Sequence, residues 1–379
     1  MKKIVLSALA ALTLGSVTVN ADEGRSKTTT PLFSHADKLK FSILAYLGYR
    51  YDDYRSGLTS DGTTAYGKDT SDFEVRRAYF QLKAYLLEDQ KSYYRVTFDI
   101  SKDVTGDEKV RAKYAYLYLN ELFTKTGVEI GLVHRPWHDY EEHNAWCYRS
   151  ISKVLIEDNK QGPGLSNSAD FGVTFKTKTQ YFDADYGVFN GEGYHSASNG
   201  NGVSFEWRTT AHILGVNGKD KQTEKRYWDA SFFGQYNQRH KTVEVGTQTE
   251  NQDLIFGGLH TVYNQPSFLI AAEYVYSDNT SNIANNVSQQ AGSGYSLNGE
   301  YRMGADKEYR VLAHYNSWTK EQTAGSAEPE DRGYIVGGAW HQNKNVEWVA
   351  NVIVTDNEAS STKEKENGIE YMVTAEVKF

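Results

Sequence analysis

The sequence predicts an all-β fold: a transmembrane antiparallel β-barrel of about 16 strands with a long third loop folded into it. Three observations predict it. Segments of roughly ten residues alternate apolar and polar positions. The connectors between them alternate short and long. The chain opens with an export segment.

Residues 1–21 read as a secretory signal. Lys2 and Lys3 supply the positive start, residues 4–14 the apolar run, and Val19-Asn20-Ala21 a small-residue cleavage site before Asp22. The run is too short to span a bilayer. Residues 22–38 form a polar arm, and residues 39–379 are the expected pore domain. Removing Lys2 and Lys3 leaves 39 basic against 49 acidic residues, a net charge of −10. That balance argues against binding of nucleic acid or anionic membrane surfaces through bulk charge.

Within 39–379 the beat is two residues. Tyr94, Val96, Phe98 and Ile100 alternate with Tyr93, Arg95, Thr97 and Asp99. Ala78, Phe80, Leu82 and Ala84 alternate with Arg77, Tyr79, Gln81 and Lys83. In a strand such sets point to opposite faces, one apolar and one polar. Strands are expected near 39–54, 72–86, 91–102, 109–120, 126–135, 169–177, 180–190 and 203–216. Eight more follow near 225–237, 251–263, 267–277, 294–304, 308–318, 332–342, 345–355 and 368–379.

Short connectors fall at 87–90, 121–125, 264–266, 305–307 and 343–344. Long polar ones fall at 55–71, 136–168, 191–202, 238–250, 278–293, 319–331 and 356–367. Outer-membrane barrels show this asymmetry, with short turns on the periplasmic side and both chain ends there. All 5 prolines lie outside the strands, as a closed ladder with no edge requires. Tyr46, Trp207, Trp228, Tyr274 and Trp348 are expected on the outward face, near the membrane interfaces.

Composition removes other classes. Among 379 residues the aromatics reach 13%, with 28 Tyr, which argues against disorder. No mature segment approaches the roughly 20 apolar residues of a spanning helix. A single Cys147 excludes a disulfide scaffold or a multi-cysteine metal site. No cofactor is expected.

The longest connector, 136–168, is rich in Trp137, Tyr140, Trp146, Tyr148 and Ile151. A loop of that length with so much apolar surface must pack on something. The economical reading folds it into the lumen, where it narrows a channel.

Here residue motifs add to the pattern. Val75-Arg-Arg-Ala-Tyr-Phe-Gln-Leu-Lys83, then Phe98-Asp99, Ala115-Tyr116-Leu117, Gly131, Pro136 and Ser168-Ala-Asp170-Phe-Gly172 resemble the phosphate-selective family of trimeric, 16-stranded bacterial porins. The resemblance covers residues 72–175 most closely. It implies a homotrimeric outer-membrane channel for small hydrophilic solutes and ions. It also implies anion recognition by a ladder of arginines and a lysine cluster. The ending Tyr371–Phe379 resembles the terminal strand through which the barrel assembly machinery recognises outer-membrane proteins, with Phe379 as the last aromatic. Outer-membrane lipids would surround the barrel.

The inferred lumen face departs from that ladder. Arg77, Lys83, Arg95, Arg135, Lys176, Arg208, Arg302 and Arg310 share it with Asp99, Glu129, Asp170, Asp183, Glu206, Asp229, Glu273, Glu300 and Glu347. The expected constriction sets Asp139, Glu141 and Glu142 of the loop against Arg77, Arg95 and Arg135, with Arg149 and Lys153 on the loop's return. Opposed walls of charge create a transverse field in a narrow, low-dielectric gap. Weak anion preference is expected, because outer acids such as Glu328, Glu330, Asp331, Glu358 and Glu364 are screened within about 8 Å at physiological salt.

Two alternatives stand beside this reading, a phosphate-type specific channel and an outer-membrane lipid hydrolase. No G-x-S-x-G elbow occurs, and His212, His260 and His314 have no Ser partner by spacing, so no enzyme is expected. His134, His138 and His143 carry metal-like spacing only if the segment is helical, which Pro136 opposes. Lining and packing roles suit them better.

Overall fold

Strands with one apolar and one polar face satisfy every backbone group in lipid only by closing into a ring. The computed structural model shows that ring. It describes residues 36–379 apart from 55–56, 59–63, 66–68, 87–88, 90, 103–105, 196–201, 220, 246–247, 279–290, 322–328 and 359–366. The signal at 1–21 and the arm up to residue 35 lie outside the described residues.

The first eight barrel strands are β1 (Ala36–Tyr54), β2 (Thr70–Leu86), β3 (Tyr93–Lys102), β4 (Glu108–Phe123), β5 (Thr126–His134), β6 (Ala169–Lys178), β7 (Phe182–Phe189) and β8 (Ser204–His212). The second eight are β9 (Tyr227–Val245), β10 (Gln248–Gln265), β11 (Phe268–Asp278), β12 (Gly292–Met303), β13 (Tyr309–Lys320), β14 (Glu330–His341), β15 (Val346–Asn357) and β16 (Gly368–Lys378). Each pairs antiparallel with its chain neighbours, and β1 pairs β16 to close the barrel. Phe379 completes the seam, exchanging backbone hydrogen bonds with Ile43. All sixteen expected strands fall on these elements.

Sidedness follows the alternation. On β3, Phe98 is 46% exposed on the outside, while Thr97 and Asp99 are 2% and 1% exposed inside. Trp228, Tyr274 and Trp348 face outward as expected, but Tyr46 does not. On β1 the outward set is Phe41, Ile43, Leu47 and Tyr49. Parity therefore turns Tyr46 into the lumen with Ser42 and Leu44.

Other boundaries also move. The connector expected at 238–250 is mostly strand: β9 runs to Val245 and β10 starts at Gln248, past a register shift between Asn237 and Lys241. Arg239 takes φ 53° there, so a bulge absorbs the irregular residues and pairing resumes beyond it. Asp331 is no outer-loop acid. It sits at the start of β14, buried, 2.9 Å from Lys320 Nζ. Connector 213–226 is longer than its sequence suggested, since β8 ends at His212.

Residues 135–168 lie inside the barrel. A short helix, α1 (Pro136–Asn144), follows β5, with Pro136 in its first turn. Proline suits that position because its missing N–H would be unpartnered anyway. The segment buries Trp137, Tyr140, Trp146, Tyr148, Ile151, Val154, Leu155 and Ile156 against inward Phe233, Leu254, Phe256, Val275, Leu312, Trp318 and Ile335. Trp137 stacks on Phe233 with ring centroids 3.8 Å apart. Gly258, opposite Phe233 on β10, permits it: a Cβ there would come within 2.3 Å of the phenyl ring. A hydrophobic core thus joins the inner segment to the β9–β16 half, and open space remains against β1–β5 and against the Phe379 end of β11–β16.

Candidate functional site

Two cavities border the inner segment on the β1–β4 side, and the larger also reaches Glu300, Arg302, Arg310, Glu347 and Glu376 of β12–β16. The larger holds about 740 Å³ and opens towards the end bearing Phe379, lined by Gln81, Lys83, Arg95, Lys113, Glu142 and Arg149 among others. The smaller holds about 260 Å³ and is lined by Glu74, Arg76, Arg77, Arg149 and Lys153 with Tyr46. Tyr46 and Arg149 line both, so the neck between the cavities lies at these two side chains.

Local irregularity of two strands furnishes this wall. Tyr46 pairs with Arg77 and Leu47 with Val75, which leaves Arg76 as an extra residue on β2. A bulge turns successive residues to one side. Arg76 accordingly joins Arg77 in the lumen and donates to the carbonyl oxygen of Ile151 at 3.3 Å. On β4 the register passes from Thr97–Tyr114 to Phe98–Ala112, leaving Lys113 extra. Lys113 and Tyr114 both turn inward and are buried.

The cations of this wall divide into two kinds. Arg77 Nη1 donates to Asp99 Oδ2 at 2.9 Å. Lys83, Arg95 and Lys113 instead rest on tyrosine rings: Lys83 Nζ is 4.4 Å from the Tyr93 centroid, Arg95 Cζ 4.7 Å from Tyr114, and Lys113 Nζ 4.8 Å from Tyr79. Among the described residues none of these three has a carboxylate within 4.0 Å. Ring faces attract cations through their quadrupole without cancelling the charge. This wall is consequently net positive.

Across the neck, Arg149 Nε lies 3.4 Å from Glu142 and Nη1 2.9 Å from Glu157, with Lys153 Nζ 3.5 Å from Glu157. Burial disfavours the Glu157 charge, but Arg149 and Lys153 outweigh it and hold the carboxyl well below the usual range. Asp139 accepts from Lys219 Nζ at 3.0 Å and lies 3.5 Å from Lys176 Nζ. Burial opposes its charge too, yet these lysines keep it well below the usual carboxylate range.

Of the eight residues expected at the constriction, Arg77, Arg95, Asp139, Glu142, Arg149 and Lys153 line the two cavities. Arg135 and Glu141 do not. Arg135 is buried at the root of α1, 2.8 Å from Asp170 and 3.4 Å from Glu206, where it anchors the helix start to β6 and β8. Glu141 lies on the buried face of α1, beside Glu273. The helical turn explains it: Trp137 and Glu141, four residues apart, share the face turned to the core. Sequence reading missed Tyr46, Arg76 and Lys113. Parity alone would have located Tyr46, but the two bulges leave no sequence signal.

The three histidines separate. His134 stacks on Tyr114 at 3.8 Å, His138 Nε2 meets Ser166 Oγ at 3.4 Å, and His143 Nδ1 lies 2.7 Å from the Asp139 carbonyl oxygen. Among the described residues no group of three His, Cys, Asp or Glu could hold a metal.

No family model and no curated protein matches the chain. Solved structures do. A loop-deletion form of OmpT, an outer membrane protein of Vibrio cholerae, superposes with a TM-score of 0.61 at 13% identity, covering 90% of this chain and 99% of that one. An anion-selective porin from Comamonas acidovorans gives 0.61 at 10% identity, covering 90% and 98%. Salmonella typhi OmpF gives 0.60 at 13% identity, covering 91% and 98%. At these identities the likeness establishes the shared barrel fold, and barrel and neighbours together point to the outer membrane.

Proposed function

We propose that the chain is an outer-membrane porin through which small hydrophilic solutes and ions diffuse passively, with a weak preference for anions. The observation that carries this reading is the pair of polar cavities meeting at Tyr46 and Arg149, flanked by the Lys83, Arg95 and Lys113 wall. Solutes at the neck pass between that positive wall and the paired Arg149, Glu142 and Glu157. A field across a narrow gap orients dipolar solutes and disfavours apolar ones. Charges at the narrowest ring act with little screening and outweigh the acidic surface.

No covalent chemistry belongs to this reading. The Ser166–His138 contact is no nucleophile pair, because burial pushes the His138 imidazole down to about 4, leaving a weak base at neutral pH. A homotrimer in the lipid bilayer, each barrel recognised by the assembly machinery through Phe379, is part of the same proposal. Comparisons with porins support it through the fold they share. Single-channel recording in unequal salt tests it. Stepwise conductance and a reversal potential on the anion side are expected, and replacing Arg77 and Arg95 with Glu should move that potential towards cations. Purified protein that forms no channels, or that hydrolyses lipid, would contradict the reading.

A second reading rests on Lys83, Arg95 and Lys113 having no carboxylate partner: a specific channel for phosphate-type anions. Sub-millimolar phosphate block of the current would favour it over general diffusion.

A further inference from the structure

In the connector between β8 and β9, residues 213–219 and 221–226, Lys219, Gln222 and Val216 meet the inner segment. The helix α1 ends at Asn144, and its last carbonyl groups need donors from elsewhere. Glu141 O receives the backbone N–H groups of Ala145 and Trp146. The connector and the residue after it supply donors to the last two: Gln222 Nε2 donates to His143 O at 2.5 Å, and Tyr227 Oη donates to Asn144 O at 2.8 Å. Gln222 Nε2 also lies 3.3 Å from Cys147 Sγ.

The connector is itself held in place. Asn264 Nδ2 donates to the carbonyl oxygens of Gln222 at 2.9 Å and Lys225 at 2.6 Å, and Arg302 Nη1 donates to Gln222 O at 2.9 Å. Val216 packs on the cluster containing Ala145, Tyr227 and Leu269. The main chain near Gln222 is thus clamped by β10 and β12 while its side chain grips the helix. Lys219, 37% exposed, projects into the larger cavity and reaches Asp139.

The structure assigns to connector 213–226 the role of a second pore-forming element: Gln222 positions the end of α1, and Lys219 is a selectivity-determining charge of the larger cavity. This deepens the porin reading and rests on it. Lys176, 3.5 Å from Asp139, is shared with Glu129 at 3.3 Å, so Lys219 offsets the negative charge that these two carboxylates would otherwise leave at the cavity.

Two readouts on the full-length protein in detergent and in bilayers separate this inference from the porin reading. The first is the rate at which a thiol-reactive maleimide labels Cys147, which needs no conduction. In Gln222→Ala the end of α1 loses a donor, and labelling should accelerate about tenfold, the weight of one buried hydrogen bond. The second is the anion-to-cation permeability ratio. Lys219→Gln should lower it about twofold, as expected of one half-exposed charge, and Lys219→Arg should restore it. Heat-modifiable gel migration checks that each variant retains its barrel. Unchanged labelling in Gln222→Ala would overturn the positioning role of Gln222. An unchanged permeability ratio in Lys219→Gln, with a conducting wild type, would overturn the selectivity role of Lys219. Faster labelling in a protein that conducts no current would keep the latch and discard the porin reading.

Discussion

The Lys113 ammonium lies 4.8 Å from the centre of the Tyr79 ring, on the next strand but one. Strand β3 between them contributes Arg95, whose guanidinium carbon is 4.7 Å from the Tyr114 ring. Cations and rings therefore interleave across β2, β3 and β4. A desolvated cation–π contact contributes about 2 kcal/mol, which keeps Lys113 inward without an acidic partner. Replacing Lys113 with Met retains the stem and removes the charge. The anion-to-cation permeability ratio should fall about two- to fivefold, measured as the reversal potential in unequal salt. An unchanged ratio would take Lys113 out of the ion path.

The inner segment carries two buried groups whose ionisation opposes stability, His138 at low pH and Glu141 at high pH. Burial pushes His138 down to about 4. The unfolded chain protonates this ring below about 6.5 and the folded one does not, so stability falls as pH drops from 6.5 to 4. Burial, with Glu273 beside it, raises Glu141 well above the ordinary carboxyl value. Its folded form keeps a proton that the unfolded chain releases above about 4.5, so stability falls as pH rises. His138→Gln should flatten the acid limb of a melting-temperature profile, and Glu141→Gln the alkaline limb. Each variant should leave the other limb intact. The His138 limb should amount to about 3 kcal/mol between pH 7 and pH 4.

Trp137 joins the inner segment to the barrel twice, through the Phe233 stack and through a 3.0 Å hydrogen bond from Nε1 to Glu273. Trp137→Ala removes both and leaves Glu273 without its donor. Losses of this type cost about 3–5 kcal/mol. The ladder of the wall does not depend on Trp137, so the barrel should still migrate as a folded band in unheated gels. Limited proteolysis should now cut within 136–168, where the wild type resists. Equal resistance in the variant would show that other contacts hold the segment.

The sixteen strands were legible because one physical rule, alternation about a closed ladder, repeats along the whole chain. The same rule separated Phe98 from Asp99 and placed the Glu273 and Arg302 side chains inside. It failed where the ladder gains a residue. At Arg76 and Lys113 a bulge flips parity, and nothing in Val75-Arg76-Arg77 or Lys113-Tyr114 marks it. The fate of Glu141 depended on α1: its neighbours on a helix are Trp137 and Ala145, whereas a loop reading grouped it with Asp139 and Glu142 by charge alone. Connector 213–226 was hidden for another reason. Its partners, Asn264 and Arg302, lie on strands distant in sequence, and only the closed ring brings them together.

Tyr46 gives the last prediction. It lines both cavities with Arg149, and its ring meets Tyr79 edge-on at 6.2 Å. Arg149 is tied to Glu142 and Glu157, so the side of the neck free to change is the tyrosine side. Pore radius at the narrowest ring governs conductance. Tyr46→Ala should raise single-channel conductance and the size limit for uncharged solutes, while the reversal potential stays nearly constant because no charge is altered. Tyr46→Phe keeps the ring and should match the wild type. The two substitutions distinguish bulk from hydroxyl chemistry. Trp228→Ala, on the outer face, is the control and should leave conductance unchanged. If Tyr46→Ala also leaves it unchanged, the narrowest ring lies elsewhere along the two cavities, and Lys113 with Glu142 becomes the next pair to alter.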